Sequence, residues 1–497
     1  MTEAAAGPRS EPSAPPSTAD HLRFHALHRP NAIALIADGH EITYRQFDAD
    51  VRKFTAALRE VVPPGVRSVA LECDELYLHW LLILACDNLG LFTASLQGAL
   101  LSVARPLIGF VDLVIAESEV PPGWAKAIYK LTQKWVTEIL ARPEPSDLDP
   151  ARAAARRLAD PTRIVRSSGT TGPGKIMLVS RASEAVNLGT FIQHMGFARD
   201  SRFLLTGPFN VGSMFWRATA CLRLGATCVY DRSRSIAQAI VTYRPTHVRL
   251  FQYQARAVLE ELPQTFRKPE RLTVMMGAGH LPRGMRERIL ARLATDLIYT
   301  YNSNETWMMG VVDAEDIVTL RPGVDAEVID EEGRPLPQGQ AGRIKVRSDT
   351  LVDGYANDPE ATRRVFRDGW FFSGDMGVMV GPRRLKVLGR LDDILNIGGV
   401  KILPTSLEDL VMGVGLVADA GVTSIPASDG IHEICIAVVP KAAASLTQIT
   451  EMITTKIWPA MLGKPHVVAL PKLPRTDTGK LQRHLLRAAV EEKLVTK

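Results

Sequence analysis

WRATACLRLGATCVYD, residues 216–231, passes from a helix-like segment into a short strand-like run. The alternation recurs on both sides of it. LYLHWLLILACDNLGL (76–91), DLVIAES (112–118), RFLLTGPF (202–209), THVRLFQ (246–252), RLTVMMGAG (271–279) and LIYTYN (297–302) continue it. Short apolar runs between helices are what buried parallel strands look like, so the stretch predicts an α/β architecture. Upstream, AIALIADGHEITY (32–44) predicts a hairpin turning at Asp38-Gly39, and QFDADVRKFTAALRE (46–60) an amphipathic helix.

Downstream the composition changes. AEVIDEEGRPLPQGQAGRIKVRSD (326–349) reads as strand, Gly/Pro turn, strand, a β-rich segment closing a large domain. A second unit begins near Leu391. It holds two strand-like runs (420–426 and 433–440), a helix over 445–458 and a basic C-terminal helix. The expected organisation is an N-terminal tail over 1–20, a large multi-subdomain α/β domain over 21–390 and a small α+β domain over 391–497. Pro8, Pro12, Pro15 and Pro16 among small polar residues make the tail a disordered lead-in, and it lacks the apolar core of a secretory signal.

The 497 residues are 46% hydrophobic and 23% charged, values that exclude a collagen-like or wholly disordered chain. A net charge of +5 over that length argues against nucleic-acid binding. Cys73, Cys86, Cys221, Cys228 and Cys435 form no CxxC pair, so neither a zinc site nor a disulfide framework is expected and a reducing, cytoplasmic compartment is. The most apolar run, Trp80 to Phe92, contains Asp87 and Asn88 and is too short to span a bilayer.

RSSGTTGPGKIM (166–177) is the sharpest local signal. Glycines let backbone N–H groups turn toward one point, hydroxyls add donors and Lys175 adds charge, which together suit the phosphates of a nucleotide. The preceding TRIV is expected to be the strand that presents the loop. Ile176 follows the lysine where a Walker A loop requires Ser or Thr.

With this loop the chain resembles the adenylate-forming enzymes: acyl-CoA synthetases, 4-coumarate-type ligases, luciferases and peptide-synthetase adenylation domains. SSGTTGPGK (167–175) is followed in the family's order by MMGAGHL (275–281), YNSNET (301–306), GRIKVRSDTLVDGY (342–355), DGWFFSGD (368–375), GRLDDILNIGGVKILP (389–404) and LPRTDTGKLQR (473–483). The resemblance implies a carboxylic acid, Mg-ATP and a thiol as reactants. An acyl-adenylate and pyrophosphate form first, and CoA then displaces AMP.

It also implies roles. Ser168, Gly169, Thr170, Thr171, Gly172 and Lys175 would hold the β- and γ-phosphates. Gly277, Ala278, Gly279 and Tyr301, with Asn302 and Asn304, would form the adenine slot, and Glu305 would bind magnesium. Asp375 would accept both ribose hydroxyls with Arg390 assisting, and Lys480 would be the catalytic lysine. Lys401 falls near the phosphates. Asp392 matches a hinge about which the small domain swings, and Gly398 and Gly399 a pantetheine channel.

The chain departs from the pattern at GPGKI, at YNSNET, where Asn302 replaces a glycine, and at Arg343, where a Glu is common. The acyl pocket is expected to include Phe209, Asn210 and Trp307. Asn210 cannot neutralise an ammonium, which argues against an α-amino acid and favours a small or aromatic acid. The leading expectation is an acid–CoA ligase. One alternative is a stand-alone enzyme loading an acid onto a separate phosphopantetheinyl carrier protein. Another, motivated by the altered motifs, is an ATP-binding pseudoenzyme.

Overall fold

A computed structural model describes residues 15–96, 107–145, 156–166, 175–277, 281–393, 395–397, 400–402, 404–426, 432–457, 465–476 and 479–495. The chain separates into two compact units. The first joins Met1–Val248 to Asp349–Thr362, and the second joins Arg249–Ser348 to Arg363–Lys497.

The first unit opens with a helix over Thr18–His28, which takes in the last three residues of the expected lead-in. Ser17 and Asp20 form a reciprocal capping box that satisfies two end donors and starts the helix there. The expected hairpin follows as Ile33–Ala37 and His40–Thr43. Asp38 and Gly39 both have positive φ, +47° and +87°, the backbone that a two-residue turn between twisted strands demands. The helix Tyr44–Val61 then buries Phe47, Val51, Phe54 and Leu58 along one face.

A six-stranded sheet forms the centre of this unit. Its order is Ala127–Lys130, Leu113–Ala116, Ser68–Glu72, Phe92–Ser95, Pro161–Arg166 and Ile176–Ser180. The pairs are parallel except the last, which is antiparallel. Ser68–Glu72 is buried along its whole length, as a strand covered on both faces must be. A second parallel set runs through Arg202–Leu204, Thr227–Tyr230 and Ile33–Ala37.

In the second unit Thr273–Met276 lies parallel to Asp296–Ser303. From there the strands turn antiparallel, in the order Trp307–Val312, Ile317–Leu320, Arg384–Arg390, Trp370–Gly381, Ala341–Ser348 and Val324–Ile329. This is the β-rich segment expected after the α/β region. Towards the C-terminus a three-stranded sheet of Val417–Pro426, His432–Pro440 and His466–Ala469 packs with the helices Pro404–Met412, Leu446–Met452 and Arg483–Val495. The helix expected over 445–458 is α-helical to Met452 and widens to a π turn over Ile453–Ile457. The fold is α/β with this β-rich addition. Among the described residues no helix is long and apolar enough to cross a membrane.

Candidate active site

Two antiparallel strands of the second unit set Asp375 directly opposite Arg390. Gly374 precedes the aspartate with φ +73°, a conformation a side chain would strain, and Ser373 Oγ accepts from the Asp375 N–H at 3.1 Å. Arg390 Nη1 lies 3.4 Å from Asp375 Oδ1 and also reaches the Ser373 carbonyl at 3.3 Å. The Tyr301 hydroxyl donates to Asp375 Oδ2. The Ser373 side chain also hydrogen-bonds this carboxylate. A carboxylate has about four acceptor positions, the number that lets it serve protein donors and a ribose hydroxyl together.

The Asp375 carboxyl is only 15% exposed. Burial raises its pKa above the ordinary carboxylate value, while Arg390, Tyr301 and Lys480 pull it back. Burial also lowers the Lys480 ammonium, reinforced by Arg390 and opposed by Asp393 and Asp375. Lys480 thus shares the electrostatic field of the Asp375–Arg390 pair, although 105 residues separate it from the aspartate in sequence (480 minus 375). A tight turn holds it: Thr476 N–H donates to the Lys480 carbonyl at 2.8 Å, and Lys480 N–H donates to Thr476 Oγ1 at 3.1 Å. Arg475 fixes the turn by reaching the Gly479 carbonyl at 2.9 Å and the Asp419 carboxylate at 2.8 Å.

Beside this cluster lies Gly277. A Cβ there would meet Asn302 Nδ2 and Thr300, each at 3.1 Å, so this backbone tolerates no side chain without displacement. The buried Arg249 donates to the Gly277 carbonyl at 3.2 Å and to the Met275 carbonyl at 3.5 Å, pinning the end of the strand. Asn302 Oδ1 is buried and has no hydrogen-bond partner among the described residues. Glu305 sits on the reverse turn between paired residues Ser303 and Trp307. Ser303 Oγ accepts from the N–H groups of Glu305 and Thr306, at 3.2 and 3.1 Å. The turn closes only with Trp307 at φ +62°, a strained backbone for a bulky residue that is buried in return. Asn304 is exposed on the same turn.

Among the described residues no three His, Cys, Asp or Glu side chains cluster into a metal cage. A magnesium ion shared with phosphate oxygens needs only one or two protein carboxylates, and Glu305 fits that requirement.

In the first unit Lys175 stands at the start of the strand Ile176–Ser180, its ammonium 4.5 Å from the centre of the Tyr355 ring. Asn357 and Ala356 pin that strand start through Ile176, both at 2.8 Å. The TRIV segment does form the strand leading into the loop, Pro161–Arg166. Ser168, Gly169, Thr170, Thr171 and Gly172 lie outside the described residues, as do Ala278, Gly279, Gly398 and Gly399. Asp392 falls in a one-turn helix, Leu391–Asp393, and Lys401 in the strand Val400–Ile402. Phe209 is buried between Trp80 and Phe215, with ring centres 5.1 and 5.4 Å away, and with Asn210 it lines a cavity. Trp307 belongs to the second unit, where Met308 and Met309 beside it are also buried.

The sequence reading missed Arg249 and Asp393. Asp393 lies 3.5 Å from Arg483, which also pairs with Glu408 at 2.6 Å, and it raises the pKa of Lys480. The available signal was the second Asp of GRLDD and the Arg that ends the LPRTDTGKLQR motif.

The family model for AMP-binding enzymes matches residues 111–356. Over those residues the chain carries the AMP-binding domain of this family. It is 27% identical over 347 residues to the 3-hydroxybenzoate–CoA ligase of Aromatoleum sp. (strain CIB), a match covering 65% of each protein and so just under two thirds of that ligase. It is 23% identical over 508 residues to the fatty acid–[acyl-carrier-protein] ligase ScoC of Streptomyces coeruleorubidus, covering 93% of this chain and 94% of that one. The crystal structure of the anthranilate CoA ligase AuaEII in complex with anthranoyl-AMP superposes with a TM-score of 0.82 at 20% identity, over 96% of this chain and 98% of that one. At that identity the likeness establishes a common fold.

Proposed function

We propose that this AMP-binding enzyme is an ATP-dependent acid–thiol ligase acting on a small or aromatic carboxylic acid. A carboxylate oxygen attacks the α-phosphorus of ATP. The bond from that phosphorus to the bridging oxygen breaks, leaving an acyl-adenylate and pyrophosphate. The CoA thiol gives its proton to solvent and attacks the acyl carbon; the acyl–phosphate oxygen bond breaks and AMP leaves. The observation that supports this reading is the contact of Tyr301 and Arg390 with Asp375, with Lys480 acting on that carboxylate through space, in a chain that carries the AMP-binding domain.

The chain's own groups have distinct tasks. Asp375 accepts the ribose hydroxyls and Arg390 holds it in place. Tyr301, Asn302 and the Gly277–Gly279 backbone receive the adenine. Lys480 meets the negative charge that builds between the attacking carboxylate and the α-phosphate, with Lys401 near it. Lys175 and residues 168–172 hold the terminal phosphates. Glu305 would hold a magnesium ion, which would supply charge neutralisation at the phosphates. Residues 21–390 and 391–497 act as a large and a small mobile domain hinged at Asp392, and Gly398 and Gly399 let pantetheine pass. The cytoplasm, which supplies ATP and CoA, is the working compartment.

A second reading has a carrier-protein thiol in place of CoA. The near full-length match to ScoC favours it. One assay tests both: pyrophosphate release from Mg-ATP with a panel of carboxylic acids, alone, with CoA, or with a phosphopantetheinylated carrier. Steady turnover only with CoA supports the first reading, and turnover only with the carrier the second. ATP binding with no acid-dependent release overturns both and leaves a nucleotide-binding protein.

A further inference from the structure

The cavity beside Asn210 is unusual in its electrostatics. Ser95, Arg163, Arg166, Asn210 and Phe215 are among its lining residues, and among the described residues no Asp or Glu lines it. Arg163 is 5% exposed. Its Nη1 and Nη2 donate to Thr93 Oγ1 and Ser95 Oγ, both at 2.8 Å, and its guanidinium lies 4.1 Å from the centre of the Phe215 ring. All three partners are neutral, and among the described residues no carboxylate pairs with it. Arg181 and Arg223 of this unit find acids, Asp87 at 2.8 Å and Glu184 at 2.7 Å, whereas the equally buried Arg217 donates to the Ser213 carbonyl at 3.0 Å; of the two without an ion pair among the described residues, Arg163 is the one that lines this cavity.

Further partners do not supply the missing charge. His79 Nδ1 donates to the Cys73 carbonyl at 3.2 Å, so its Nε2 accepts the Ser95 proton at 2.7 Å while Ser95 Oγ accepts from Arg163. His79 is fully buried and its pKa is lowered to about 3, so it stays neutral. The chain from Arg163 through Ser95 to His79 orients the guanidinium, and Glu184 acts on it only through space, so among the described residues no carboxylate touches it. Burial lowers Arg163 only to about 10, so it remains a cation at neutral pH. A buried unpaired cation is costly, and a ligand anion removes that cost.

We propose that the acid activated by this enzyme carries a second, anionic group at its far end, and that Arg163 binds it. The substrate class is a dicarboxylic acid or a close analogue with one other anionic head. This rests on the ligase reading above and on Phe209 and Asn210, which line this cavity with Arg163, belonging to the acyl pocket as expected from the sequence. The cavity measures about 20 Å³, against roughly 150 Å³ for one that holds benzene, so it receives a substituent and not a ring.

The test is acid-dependent pyrophosphate release with matched pairs: hexanoate and adipate, benzoate and isophthalate, phenylacetate and homophthalate. The wild type is expected to favour the diacid of a pair by at least about 30-fold in kcat/KM, and Arg163→Met to abolish that preference. Ser95→Ala, which loosens the arginine without removing it, is expected to weaken the preference partially, and it decides the matter should Arg163→Met not fold. Arg217→Met is the control, an equally buried arginine that does not line this cavity. An equal shift there makes the effect one of folding and overturns the proposal. Wild-type preference for the monoacids overturns the proposal alone and leaves the ligase reading standing. Failure of every acid, with ATP still bound, overturns both.

Discussion

Asp375 shows how one residue is tuned against its own stability. Its pKa is raised by burial, so the folded protein holds the proton more tightly than the unfolded chain. Such a group favours folding fully below the unfolded pKa, and that contribution is lost as pH rises through the folded value. At neutral pH the ionised carboxylate therefore costs stability. Asp375→Asn is expected to raise the apo melting temperature at pH 7 and to weaken AMP binding at least about 10-fold, since an amide loses charge-assisted acceptance. Thermal melts with and without AMP check both signs. In the wild type, AMP affinity should fall on acidification at a pH above that of an exposed aspartate. Lys480 is shifted the other way, so the alkaline limb of the adenylation rate should lie below the ordinary lysine pKa. Lys480→Ala should cost about 100-fold or more in pyrophosphate release and spare thioester formation from supplied acyl-adenylate. Equal loss of both half-reactions would remove the lysine from its role.

At the scale of elements, the turn from Ser303 to Trp307 carries Glu305 on two hydrogen bonds to one hydroxyl. Strain at Trp307 accompanies that geometry. Ser303→Ala is expected to raise the magnesium concentration needed for half-maximal rate several-fold, with Ser303→Thr restoring it, because the serine positions the carboxylate without touching substrate. An unchanged magnesium titration would make the turn merely structural. This scale also marks what sequence could and could not supply. The Asp38-Gly39 hairpin, the buried parallel strands and the helix Tyr44–Val61 follow from local pattern and turn chemistry, and were legible. The Tyr301–Asp375–Arg390 contact was legible only through motif order, since nothing local predicts the register that sets Asp375 opposite Arg390. Arg249 gripping the Gly277 carbonyl, and Arg163 touching no acid among the described residues, were not legible at all. An arginine in a strand reads the same whether its charge is compensated or not, and only long-range packing distinguishes the two.

For the whole molecule, the question is where a movable part could end. The two hydrophobic cores of the C-terminal segment are built from residues between Leu395 and Leu494 alone. One packs Leu407, Val422, Ile436 and Ile449, and the other Cys435, Val468, Leu486 and Val490, on opposite faces of the strand His432–Pro440. Consecutive residues of a strand point to opposite sides, so Cys435 and Ile436 fall into different cores, and the sheet is covered by helices on both sides. A segment that buries its own apolar surface needs little from the rest of the chain, which is the physical condition for a domain that can rotate as a body. Residues 391–497 expressed alone are therefore expected to unfold in one cooperative transition and to show dispersed amide resonances. Residues 1–390 alone retain Tyr301, Asp375 and Arg390, so they should still bind AMP while releasing no pyrophosphate for want of Lys480. Adding the separate C-terminal piece should restore a weak, concentration-dependent rate if the two act as domains. A C-terminal piece without cooperative unfolding would place the boundary elsewhere and remove Asp392 as the hinge.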